Sequence, residues 1–177
     1  MRKLMVVFTF AVLALACNTS QTKTGGDSAT AASSDSMKTL YEQNLALVKA
    51  NVSNFEKKDL DAFFANIADT ITWTSPMYGD TVTTKAHWRE SLKYFTDNWD
   101  SLQLVNPIFL AGVDAVTNIP DGSVRYYGQW NGVHKATGKH TSTQVYEFMN
   151  FNADHKVAAD GQFFDVGGLM NAVAAKK

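Results

Sequence analysis

The sequence predicts an α+β domain, with helices first and a curved antiparallel sheet after them. Three observations carry that expectation. Apolar residues recur at helical spacing between Met37 and Phe55, and again after Thr84. Four strand-like runs follow, separated by turn-forming clusters at 120–122, 137–139 and 152–154. Gly112, Gly128 and Gly161 fall inside those runs, where glycines accompany the bulges and bends of a strongly curved sheet.

Composition bounds the chemistry without naming it. The chain has 177 residues, 45% apolar and 19% charged, enough for one domain with a short appendage. Its formal charge is −1, so it lacks the basic footprint of a nucleic-acid partner. A single cysteine excludes an intrachain disulfide and a cysteine-rich zinc site. Aromatics at 12% suffice to line a core or a pocket.

The beginning reads as an export signal. Arg2 and Lys3 precede an apolar run, 4–16, interrupted only by Thr9. Its length suits the h-region of a signal peptide, assigned to 1–16, rather than a membrane span. Ala14-Leu15-Ala16-Cys17 resembles a bacterial lipoprotein box, and it also fits a small-x-small cleavage site for ordinary secretion. Lipidation of Cys17 is favoured, because 18–36 is rich in Ser, Thr, Gly and Ala and suits a flexible tether. The expected location is the cell envelope, with the membrane reached through the anchor.

The elements follow in order. Ser36 is placed to cap a helix over 37–55, with Leu40, Tyr41, Val48 and Val52 on its apolar face. Asp59 can cap a short second helix through Leu60, Phe63, Phe64 and Ile67, and Asp69 is expected to end it or organise the following turn. A strand over 70–74 stops at Pro76. Thr84 can cap a third helix presenting Trp88, Leu92, Phe95 and Trp99. The four strands are 101–115, 123–135, 140–151 and 156–166. One last helical turn over 167–177 is possible, with the tail beginning at 171.

Phe55-Glu56-Lys57-Lys58-Asp59-Leu60-Asp61-Ala62-Phe63-Phe64 and the later Ile67-Ala68-Asp69 to Trp73-Thr74-Ser75-Pro76 resemble the opening of the nuclear-transport-factor-2-like (NTF2-like) superfamily, and its SnoaL-like branch especially. Lys156-Val157 to Phe163-Phe164-Asp165 resembles its final strand. The resemblance covers about 38–170, within a domain assigned to 37–170. It implies a cone: a long helix and two shorter ones packed in a bent sheet, with a pocket at the open end. It also implies a possible homodimer through the outer face of the sheet. Fold does not choose among the isomerases, cyclases, dehydratases and non-catalytic members it houses.

The resemblance places the isomerase base at Ser75, a poor base, and the cyclase acid/base at Gln162, which exchanges no proton usefully. Asp165 and Asp160 remain as catalytic candidates. Alternation is taken to put Gly161, Phe163 and Asp165 on the cavity face of the last strand, and Gln162, Phe164 and Val166 on the other. A cavity wall is expected from Trp73, Tyr78, Trp88, Phe95, Trp99, Tyr126, Trp130, Tyr146 and Phe163, with Ser75, Gln144 and Asp165 as polar fixings. His134 and His140 are expected opposite each other on a hairpin, with no third ligand, so no metal is expected. No phosphate-binding glycine loop is present and no cofactor is expected. The expected function is binding of a small apolar or amphiphilic molecule in the cone, with no catalysis assigned. The alternatives are an isomerase, cyclase or dehydratase using Asp165 or Asp160, and a structural dimerisation module.

Overall fold

The computed structural model describes residues 26–174, with side-chain surroundings from residue 35. The proposed signal run and Cys17 lie outside the described residues. Helix α1 spans Gly26–Glu56, so it starts well before Ser36, which lies inside it rather than at its cap. The helical backbone thereby takes in the second half of the segment read as a tether. Helix α2, Leu60–Ala65, begins where Asp59 accepts from the Ala62 amide. Strand β1, Ile67–Thr74, starts earlier than predicted and absorbs Asp69, whose carboxylate ion-pairs with Lys85 at 2.8 Å instead of ending a helix. Helix α3, Lys85–Asn98, is capped by Thr84 through the His87 amide. Then come β2 (Trp99–Val113), β3 (Pro120–His134), β4 (His140–Phe151), β5 (Val157–Phe163) and α4 (Val166–Val173).

The five strands form one sheet in the order β1-β5-β4-β3-β2. The pairs β2–β3, β3–β4 and β4–β5 are antiparallel, whereas β1 lies parallel to β5. Curvature is concentrated in β2, where register shifts fall between Asp100 and Gln103, Val105 and Ile108, and Ala111 and Val113. Ser101 and Asn106, at φ 54° and 50°, take the left-handed conformation at two of them, and Gly112 lies in the third. Gly128 and Gly161 occupy regular ladder positions instead. A Cβ on Gly161 would stand 2.3 Å from the Phe148 ring, and one on Gly128 2.8 Å from Leu104. Those two glycines serve close packing rather than bending.

The first hairpin turn also differs from expectation. It lies at Asp114–Asn118, and β3 already begins at Pro120. Asp114 Oδ1 accepts from the Val116 and Thr117 amides, an aspartate turn that holds the loop closed. Pro120 is tolerated as the first residue of its strand. Among the described residues no helix is long and apolar enough to cross a membrane.

Helix α1 packs across β3 and β2. The core joins Val48 and Phe55 of α1, Phe63 and Phe64 of α2, Ile67, Ile71 and Trp73 of β1, and Trp88 and Leu92 of α3 with the inner sheet face. Burying such side chains stabilises by roughly 1.5–3 kcal/mol each. Asn44 is a polar exception in α1: it is 1% exposed, and its amide donates to the Gly122 carbonyl at 2.8 Å.

Candidate functional site: an aromatic cavity over a buried carboxyl pair

Period-two alternation turns Val145, Glu147 and Met149 of β4 inward, opposite Tyr126 and Val124 of β3. On the other side, Gln162 pairs with Glu147 and Asp160 with Met149. The concave face thus carries an acidic pair within an otherwise apolar row.

A cavity of about 70 Å³ opens over this row. Its aromatic lining comes from Phe55 of α1, Phe95 of α3, Trp99 of β2, Trp130 of β3 and Phe164 beyond β5. Leu92, Leu102, Val145 and Leu169 complete the apolar wall, with Asn131, Thr141, Thr143, Glu147 and Gln162 as its polar groups. A second space of about 30 Å³ adjoins it and shares Phe55, Leu92, Trp130, Glu147 and Gln162. At roughly 10–15 Å³ per water position, the larger space holds on the order of five non-hydrogen atoms. Phe55 and Trp130 meet edge to face at 5.1 Å, and Trp99 is fixed by its indole N–H donating to Thr141 Oγ1 at 3.1 Å. Helix α4 carries Leu169 to the cavity, and Lys139 Nζ holds the helix end through the Ala172 and Ala174 carbonyls.

Beneath the cavity, the Tyr126 hydroxyl donates to Glu147 Oε2. Glu147 is 2% exposed and Asp160 is fully buried. Burial pushes the Asp160 carboxyl well above the usual carboxylate range, and the Glu147 charge adds to the shift. Burial also raises Glu147, opposed by hydrogen bonding from Tyr126 and the adjacent Asp160 and Gln162 side chains. Glu147 and Asp160 therefore titrate as a pair. Asp160 lies close enough to Glu147 to interact, although neither of its oxygens meets a donor in strict hydrogen-bond geometry. Burial and the Glu147 carboxylate likewise push the Tyr126 phenol up, so it stays protonated and donating.

Three of the nine residues predicted for the wall, Phe95, Trp99 and Trp130, line the larger space, and Tyr126 lines the smaller. Trp73 and Trp88 are buried but stack on each other at 6.1 Å in the core, away from it. Ser75 lies past the end of β1 and accepts from the Met77 amide, so it does not share Trp73's inward face. Tyr78 is exposed in the following loop. Tyr146 and Phe163 pack together at 5.8 Å on the outer face of the sheet, and Gln144 is exposed.

The predicted phase of β5 is inverted: Asp160, Gln162 and Phe164 take the inner side, and Phe163 is 51% exposed. A shift of one residue exchanges the two faces of a strand. Asp165 accordingly lies outside the cavity and caps α4 by accepting from the Gly168 amide at 2.7 Å. His134 and His140 are not opposite each other: His140 pairs with Val133, while the His134 ring contacts Trp99 and Thr137. Among the described residues no group of three metal-capable side chains forms.

Sequence reasoning missed Glu147. The available signal was an acidic residue in phase with Val145 and Met149, on the apolar side of an alternating strand.

No family model and no curated protein sequence matches the chain. Solved structures do. A protein of Xanthomonas campestris pv. campestris, provisionally named a polyketide cyclase, superposes with TM-score 0.62 at 18% identity, covering 76% of this chain and 99% of that one. An NTF2-like protein of Burkholderia thailandensis gives 0.56 at 23% identity, covering 75% and 98%. A Catenulispora acidiphila protein with a ketosteroid-isomerase-like fold, solved with trimethylamine, gives 0.55 at 11% identity, covering 71% and 90%. The chain has the NTF2-like fold, with the curved five-stranded sheet and packed helices of these neighbours.

Proposed function

We propose that this domain binds a small, largely apolar molecule in its cone, with one polar group directed at Glu147. The observation that carries the reading is the cavity itself: aromatic walls converging on one buried carboxyl cluster. The trimethylamine bound by the Catenulispora neighbour supports a ligand of comparable size. Native mass spectrometry of the protein purified from its own cells tests the reading. A retained small molecule is expected, and Val145→Phe, which fills the cavity from β4, should abolish retention. Retention unaffected by that substitution would move the ligand elsewhere. A wild-type chain that retains nothing and binds no apolar probe in a Val145-dependent way would overturn the reading.

The enzymatic alternative now rests on the Glu147–Asp160 pair rather than on Asp165. A raised, coupled carboxyl pair beside an apolar cavity is the chemistry a proton-transfer enzyme of the isomerase type uses. Turnover of an activated ketone that is lost in Glu147→Gln would favour this alternative.

We also propose export and lipid anchoring at Cys17, on the apolar run and the box that precede it. Cys17→Ser should release the protein from membranes, and a wild type already soluble outside the cell would favour ordinary secretion. Homodimerisation is supported by the outer sheet face, where Ile108, Tyr127 and Phe163 are each at least half exposed. Sedimentation equilibrium of the wild type against Tyr127→Lys tests it, with a concentration-independent monomer in both as the contrary result.

A further inference from the structure

Resting on the cone-binding reading, we infer that the ligand class is a small alkylammonium cation, held by the aromatic walls over the Glu147 carboxylate. Three features of the cavity combine in this assignment.

The group presented to the ligand is an acceptor. Tyr126 donates its hydroxyl proton to Glu147 Oε2, which favours the accepting, charged form of the carboxyl that lines the cavity against the effect of its burial. The deeper Asp160 is shut away from solvent and has no donor in hydrogen-bond geometry, so it is the member of the pair that keeps a proton. A carbonyl or other acceptor on the ligand would face Glu147 oxygen to oxygen. A cation would be attracted.

Among the described residues, the Glu147 carboxyl has no cationic partner: no Lys, Arg or His among them lines either space. The titratable groups facing Glu147 are Tyr126 of β3 and Asp160 of β5, while α1, α2 and α3 present Val52, Phe55, Phe63, Leu92 and Phe95. A buried carboxylate without a cationic partner is costly, and a bound cation would remove that cost.

Finally, the walls suit a diffuse positive charge. Five aromatic rings, Phe55, Phe95, Trp99, Trp130 and Phe164, line the space, with Phe55–Trp130 and Phe95–Trp99 centroids 5.1 and 5.5 Å apart. Aromatic rings attract alkylated ammonium groups through their negative faces while packing against the methyls. The cavity volume matches a tetramethylammonium-sized group.

The test compares tetramethylammonium with tert-butanol, two tetrahedral probes of equal size, one charged and one neutral. Each is titrated into the full chain while the indole N–H resonances of Trp99 and Trp130 are followed by NMR. The cation should bind about tenfold or more tightly than the alcohol. In Glu147→Gln, whose amide oxygen can still accept from Tyr126, that preference should disappear while tert-butanol binding persists. The wild-type comparison stands without the variant, should the variant fold poorly. Equal or tighter binding of tert-butanol by the wild type would overturn the cationic class and leave the cone-binding reading intact. Failure of both probes to perturb either indole would overturn the two together.

Discussion

Tyr126 and Glu147 are direct register partners across the β3–β4 ladder, and the phenol donates to the carboxylate from one strand to the other. The bond lies between two buried side chains, one of them a carboxyl group, where an unmade hydrogen bond is most costly.

Tyr126→Phe removes that donor and keeps the ring. The phenol favours the charged form of Glu147, so its loss raises the Glu147 pKa further. Stability should fall by about 1–3 kcal/mol near neutral pH and by less near pH 4, where Glu147 can take up a proton. Urea denaturation at the two pH values measures the difference. An equal loss at both would show that the bond does not depend on the carboxylate charge.

Asp160→Asn tests the sign of the buried titration. The folded pKa of Asp160 is raised, so between the unfolded carboxylate value and that raised value the native state holds the extra proton. Wild-type stability should therefore fall as pH rises through this window, by at most about 1.4 kcal/mol per pH unit for one proton. The variant carries no such proton and should show a flatter profile, gaining on the wild type from pH 4 to pH 8. Parallel profiles would contradict the assignment of the proton to Asp160.

Asp165 separates a structural carboxylate from a functional one. Asp165→Ala should cost about 0.5–2 kcal/mol through loss of the α4 cap, and Asp165→Asn should restore nearly all of it, because asparagine caps equally well. Ligand retention should be normal in Asp165→Asn. Thermal melting with native mass spectrometry reads both, and loss of the ligand from a stably folded Asp165→Asn would return this residue to the site.

Asn44→Ala leaves the Gly122 carbonyl without the buried donor it has now. A loss of about 1–3 kcal/mol is expected in denaturant titration. A change within a few tenths of a kcal/mol would mean that water replaces the amide.

Much of the fold was legible because local chemistry and global packing agree. Asp59 and Thr84 cap where their spacing said they would, and the Thr137-Gly138-Lys139 and Asn152–Asp154 turns close their hairpins. The first hairpin was misplaced because Asp114 and Pro120-Asp121-Gly122 are rival turn signals a few residues apart, and only packing chooses between them. The candidate site was less legible. The phase of β5 depends on pairing Gln162 with Glu147, a tertiary fact, and the Gly161-Phe163-Asp165 series looked equally suited to either face. Trp73, Trp88, Trp99 and Trp130 are indistinguishable by type. Their division between core and cavity follows from where α3 meets β1 and where β2 meets β3.

The parallel pairing of β1 with β5 sets the order in which this chain can fold. Ile67 finds its partner Val157 only when nearly the whole domain has left the ribosome. Until then β1 has no ladder neighbour, and the Trp73 face that β5 helps to enclose stays open. The antiparallel hairpins need no such wait, since each strand from β2 to β5 follows its neighbour. Closure of the first strand onto the last is a long-range step with a large loop entropy to overcome, and it should come late. A nascent chain stalled before β5 would present a sticky, half-built edge, the form in which protease and chaperone would meet it.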